Sequence, residues 1–208
     1  FALLLALAVI AGMVEVWGVG LYGDSRVSVS FTIVASAAVL NGFAGAAIVA
    51  FGAAVGTLFH NRDRVKFAFN AGVLVLAGAS MGAALQAIEV VFDGHGVFVV
   101  IGLVVVACVD FLVNSTLVAG VIALTSGRSP WAVWKEKHRW LFLHYLALGL
   151  IGLGLAEGFL LAGPLGLAIF LLPAIMQRVS LEQYVRRTER DVAELHATHQ
   201  NLARSHAD

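Results

Sequence analysis

Long apolar runs separated by short polar loops dominate the chain as far as Pro173, and from Gln177 onward the sequence turns polar. A helix that crosses the hydrocarbon core of a bilayer needs about 20 mostly apolar residues. Segments 1–22, 67–92, 97–124 and 140–162 meet that requirement, and 165–176 meets it by borrowing a turn from the helix that follows.

Segment 27–59 is too long for one upright helix and too short for two comfortable spans. It opens on an alternating stretch, Val27-Ser28-Val29-Ser30-Phe31, and Asn41-Gly42 midway is a helix-breaking pair. Basic residues help to place it. Arg62, Arg64 and Lys66 fall in one loop; Arg128, Lys135, Lys137 and Arg139 in another; Arg178, Arg186, Arg187 and Arg190 in the tail. The alternate loops, 23–26, 93–96 and 163–164, hold only Arg26. Basic loops stay on the cytoplasmic side. That parity calls for an odd number of crossings between Tyr22 and His60. The expected fold is therefore an all-α integral membrane protein, a six-span bundle with a discontinuous second span broken near Asn41-Gly42, and both ends cytoplasmic. Broken helices at membrane depth are tolerated where they are buried in protein or line a wet cavity, and in transporters they mark binding sites. An ordinary kink packed against neighbours is the alternative.

The polar tail carries a stripe. Leu181, Val185, Thr188, Val192, Leu195, His199 and Leu202 are spaced alternately four and three apart, the seam of a coiled coil. The sequence thus divides into a membrane sensor domain, 1–176, and a cytoplasmic signalling helix, 177–208, leading to an output domain further along. Pro173 lacks a backbone N–H and makes a candidate hinge between them.

Composition agrees with the membrane assignment. The 208 residues are 60% hydrophobic and 12% charged, against roughly 25% charged in soluble domains, and mean hydropathy is +0.92. The 22 glycines suit close helix packing in lipid. A net charge of zero offers nothing to nucleic acid. Cys108 is the single cysteine, so neither an intrachain disulfide nor a cysteine-rich metal motif exists.

Ionisable groups inside a bilayer are costly and need an account. Under the six-span topology Glu15, Glu89 and Glu157 fall in the outer halves of their helices, where they line an outward pocket for a cation or amine or are simply hydrated near the interface. Asp110 sits mid-span with Asn114 one turn along the same face. The pair either serves a helix–helix hydrogen bond, holds an ion or polar ligand, or relays a proton. Asn41 and Asn70 are candidates to converge with them. The histidines form no metal-binding spacing. His144 reads as an interfacial residue, and His199 as a polar, register-setting position of the seam. Trp131, Trp134, Trp140 and Tyr145, interleaved with basic residues, read as an aromatic belt. No nucleophile elbow, phosphate loop, zinc helix or kinase signature is present, so no catalytic residue, cofactor or metal is expected. The expected partners are the bilayer, a small ligand and a second copy in a parallel homodimer.

Several of these stretches occur in the same order in one bacterial family: the Val27–Phe31 opening, Asn41-Gly42, Phe67-Ala68-Phe69-Asn70 and the segment from Asn114 to Gly127. The tail Gln183-Tyr184-Val185-Arg186-Arg187-Thr188, with Val192-Ala193-Glu194-Leu195 after it, adds the most specific part. On these residues the chain resembles the N-terminal membrane sensor region of bacterial HD-GYP phosphodiesterases, a type of region that also precedes GGDEF diguanylate cyclases. The resemblance covers nearly the whole chain, through weak, largely apolar motifs. It implies a protein of the bacterial inner membrane that controls a cyclic di-GMP output domain, whose metal and nucleotide ligands would lie beyond Asp208. The membrane part more faintly resembles the S components of energy-coupling-factor vitamin transporters, which implies an outward small-molecule pocket. The long heptad tail departs from that second family, which puts transport in doubt but not ligand binding; the remaining alternative is an accessory subunit of a membrane complex, its polar tail docked on a partner.

Overall fold

The computed structural model describes residues 2–20, 26–59, 63–92 and 96–205. Its elements are helices α1 (Ala2–Val16), α2 (Ser30–Gly56), α3 (Arg64–Phe92), α4 (Gly96–Ser126), α5 (Pro130–Lys137), α6 (Phe142–Ala162) and α7 (Pro164–Ser205). Two-residue strands β1 (Val19–Gly20) and β2 (Arg26–Val27) pair antiparallel between α1 and α2. That pairing ends α1 at Val16, short of the helix expected as far as Tyr22. The alternating stretch forms strand only at Arg26–Val27 and is helical from Ser30. Helices α2, α3, α4, α6 and α7 are each long and apolar enough to cross a membrane, and the chain is a multi-pass, predominantly helical membrane protein.

Helix α2 is the centre of the packing and contains the expected discontinuity. Gly42 has φ 61° and ψ −150°, a backbone state that residues with a Cβ avoid. The break does more than kink the helix. A methyl group at Gly45 would lie 2.8 Å from the carbonyl oxygen of Ala37. In a continuous helix those residues would be about 12 Å apart along the axis. One at Gly78 of α3 would meet Ala50 at 2.8 Å and Val34 at 3.1 Å, touching both arms at once. At the far ends, Ser30 Oγ donates to Glu15 Oε2 at 2.5 Å, and a methyl group at Gly56 would lie 2.9 Å from Cβ of Glu15. Arms 30–41 and 43–56 therefore form a re-entrant hairpin with its tip at Gly42. Each arm rises about 18–21 Å, short of the roughly 30 Å core, so the segment enters and leaves on one face.

This corrects the sequence-based topology. A hairpin supplies no net crossing between α1 and α3, so 27–59 is not a single discontinuous span, and the six-span count that relied on it does not hold. Gly12 and Gly52 pack directly, which sets α1 parallel to the returning arm and brings its C-terminal end to the face where the hairpin opens. Helix α3 runs back against that arm, with Gly82 on Phe43, and α4 returns beside α3, with Gly102 on Leu85. Helix α6 leaves the hairpin-opening face, with Phe31 and Tyr145 rings 5.4 Å apart and Gly152 against Thr32. Helix α7 returns along α6, seating Phe170 on Gly154 and Gly158. Arg64, Lys66, Arg128, Lys135, Lys137, Arg139 and Arg178 consequently gather at the hairpin-opening face, while the C-terminal ends of α3 and α6 lie at the opposite one.

Burial follows this architecture. Residues 29–38 are buried all round, as an element enclosed by α1, α3 and α6 must be. Small side chains (Ala35, Ala37, Ala38, Ala46, Ala50, Ala53) make the hairpin core and let the backbones approach. The exposed large side chains, such as Val65, Leu124, Leu143, Leu161 and Leu172, mark the surface offered to lipid.

Candidate functional site

A cavity of about 260 Å³ lies at the hairpin tip, where α2, α3, α4 and α6 meet. Asn41 and Gly42 come from the tip, Gln86 from α3 and Glu157 from α6; Val106 and Leu153 are among its apolar walls. Gln86 lies directly over Gly42, so a methyl group there would collide with its amide nitrogen. Ala38, Val39, Leu40 and Asn41, the last turn of the first arm, all line the cavity. Those are the residues whose carbonyls a helix end leaves without intrahelical partners. Among the described residues no cation pairs with Glu157. The cavity sits toward the C-terminal ends of α3 and α6, away from the basic face.

Of the expected site residues, the structure thus brings Asn41 and Glu157 together. Glu15 is elsewhere: α1 ends at the hairpin-opening face, so Glu15 stands beside Ser30, on the basic side rather than in the outer half. The side chain of Glu89 lies outside the described residues. Asn70, half-buried near the start of α3, does not line the cavity. Gln86 was not expected. A glutamine on an apolar helix carries no charge signal, and only the fold of α2 places it against the tip.

Asp110 is buried, with 6% of its surface exposed, one turn beyond the cavity-lining Val106. It does not line the cavity. Among the described residues it makes no hydrogen bond or ion pair. Asn114 Nδ2 donates to the Tyr145 hydroxyl at 3.2 Å, joining α4 to α6. The aromatic belt is partly internal. Trp134 stacks on Trp131, donates to Ser115 Oγ at 2.8 Å and meets Phe111 edge-on. These contacts, with buried Val133, dock the short helix α5 against α4 in what the sequence presents as a loop.

Helix α7 passes through Pro173 without a break and continues to Ser205. Gln177 meets His144 of α6 at 3.2 Å, and Arg178 Nε donates to the carbonyl of Trp17 at 2.8 Å. Leu181 packs beside Phe111 and Leu141, and Val185 is only 5% exposed. The first seam positions are therefore covered within the chain, while Val192 and Leu195 are open and Thr188 is intermediate. The side chains of His199 and Leu202 lie outside the described residues. Arg178 and Arg186 both pair with Glu182, at 2.8 and 2.7 Å.

Comparison of the chain with protein-family models, with curated proteins and with solved structures gave no match.

Proposed function

We propose that this chain is the input region of a bacterial membrane signalling protein, one that reads a small ligand at the hairpin-tip cavity and passes the change along α7. The observation that carries the reading is the path of α7. Its membrane half packs on α6, which holds Glu157 of the cavity, and the same unbroken helix runs on past the basic face to expose Val192 and Leu195. A ligand that favours one arrangement of α6 shifts α7 only through a difference in affinity between two states. The packed Gln177–His144 and Leu181 contacts are where such a shift reaches the tail.

The resemblance to sensor regions of HD-GYP and GGDEF proteins supports a cyclic di-GMP output following the tail. The basic face supports a cytoplasmic position for it in the inner membrane. The open positions Val192 and Leu195 fit a parallel homodimer in which the seam begins beyond Val185. The cavity by itself also favours a second reading, a ligand-binding protein similar to a transporter S component, which needs neither dimer nor tail.

Mass measurement in nanodiscs of the chain with and without residues 191–205 separates the two. Signalling predicts a dimer that dissociates on truncation. A monomer in both forms removes the dimeric signalling reading and leaves the binding protein.

A further inference from the structure

Resting on the cavity assigned above, we infer that its ligand is a small organic ammonium ion, an amine with an apolar body, held by Glu157 and by the carbonyl end of the first hairpin arm. Two features of different origin carry the same negative sign, and the one element that would oppose them stands outside the lining. Glu157 is a carboxylate with no ion-pair partner among the described residues, in a cavity of about 260 Å³. The first arm, 30–41, ends at this cavity, and a helix C-terminus carries about half a negative charge on its free carbonyls. The opposing N-terminal turn of the second arm, 43–46, which would favour an anion, contributes no residue to the lining.

The amides of Asn41 and Gln86 each add a carbonyl acceptor to the rim. An ammonium group has three donors and no acceptor, which matches a site whose charged member and helix end both accept. The remaining walls, among them Leu85, Val106 and Leu153, offer no polar partner and suit a hydrocarbon body. An anion would face Glu157 and the negative helix end together. A bare metal ion would leave the apolar walls unused.

Ammonium groups reach such a cavity either free in water or on a lipid headgroup, so the host membrane is part of the test. The chain in nanodiscs of phosphatidylglycerol alone is titrated calorimetrically with 2-phenylethylammonium, with 2-phenylethanol, with 3-phenylpropionate and with sodium chloride. The expected result is binding of the ammonium compound only, weakened about tenfold or more by Glu157→Gln and unchanged by Glu136→Gln on exposed α5. If the site serves a headgroup, phosphatidylethanolamine in the nanodisc competes with the probe in the wild-type chain. If it serves a free amine, that lipid has no effect. Equal binding of the alcohol or carboxylate, displacement by sodium, no binding of the ammonium compound, or indifference to Glu157→Gln overturns the inference. Calorimetry reads the cavity without reference to the tail. Ammonium binding by a chain that is monomeric both with and without residues 191–205 would sink the signalling reading and spare this one.

Discussion

Ser30 and Gly56, the first and last residues of one helical segment, both touch Glu15: the Ser30 hydroxyl at 2.5 Å, and Gly56 so closely that its own Cβ would lie 2.9 Å from that of Glu15. A straight helix of that length would separate them by about 39 Å. Their meeting is what makes α2 a hairpin. It also puts Glu15 at the end of the bundle where the hairpin opens.

Labelling tests the reversal directly. In a Cys108→Ala background, single cysteines at Ser28 and Leu58 flank the hairpin, and one at Ser129 marks the basic face. All are expected to react with an impermeant maleimide from the same side of oriented vesicles. Reaction of Ser28 and Leu58 from opposite sides would restore a single crossing.

Gly42→Ala should be costly. The methyl group meets the Gln86 amide, and the positive φ is strained for any residue with a Cβ. A loss of about 1–3 kcal/mol is expected, read as a lowered Tm in detergent. Ala47→Gly, on the half-buried side of the second arm, is the comparison, expected to cost only about 0.5–1 kcal/mol. Equal losses in the two variants would show that the tip is not special.

The seam positions should divide by function. Leu195 is 58% exposed, so Leu195→Asp should leave the stability within about 0.5 kcal/mol of wild type while abolishing crosslinks between tails. Val185, buried within the chain, should respond to Val185→Asp with a loss of about 2 kcal/mol or more. An unchanged crosslinking pattern in Leu195→Asp would remove the coiled coil.

Asp110 and Glu157 are both acidic, and only Glu157 lines the cavity. Asp110→Asn is expected to leave binding of an alkylammonium probe within about twofold of wild type, where Glu157→Gln weakens it about tenfold or more. The opposite ranking by calorimetry would move the site one turn along α4.

His138, between α5 and α6, carries a pH dependence. Burial pushes its imidazole below the usual 6.5, and the charge of Lys137 pushes it further in the same direction. The folded chain thus disfavours the protonated ring. Below a pH of 6.5 the unfolded chain takes up a proton that the folded chain resists, so stability falls as pH falls. The loss levels off once the folded ring is protonated too. His138→Asn should flatten the Tm-against-pH curve below that point, relative to wild type. Parallel curves would show that His138 contributes nothing.

The apolar runs, their lengths and the basic loops between them are properties of local composition, and composition alone was enough to read helices α3, α4, α6 and α7 and the membrane around them. The break at Asn41-Gly42 was equally legible, because a helix-breaking pair inside an apolar run has few other meanings. What the pair did to the chain was not. A kink and a reversal differ only in the dihedral angles of Gly42, and the choice between them rests on whether Val34 and Ala50 can pack face to face against Gly78 of a helix far along the chain. That one choice moved Glu15 to the basic face, gathered Asn41, Gln86 and Glu157 at the tip, and left Asp110 outside the cavity. Hydropathy and spacing are local quantities. Which polar groups share a cavity depends on contacts between distant segments, and only the tertiary structure decides those.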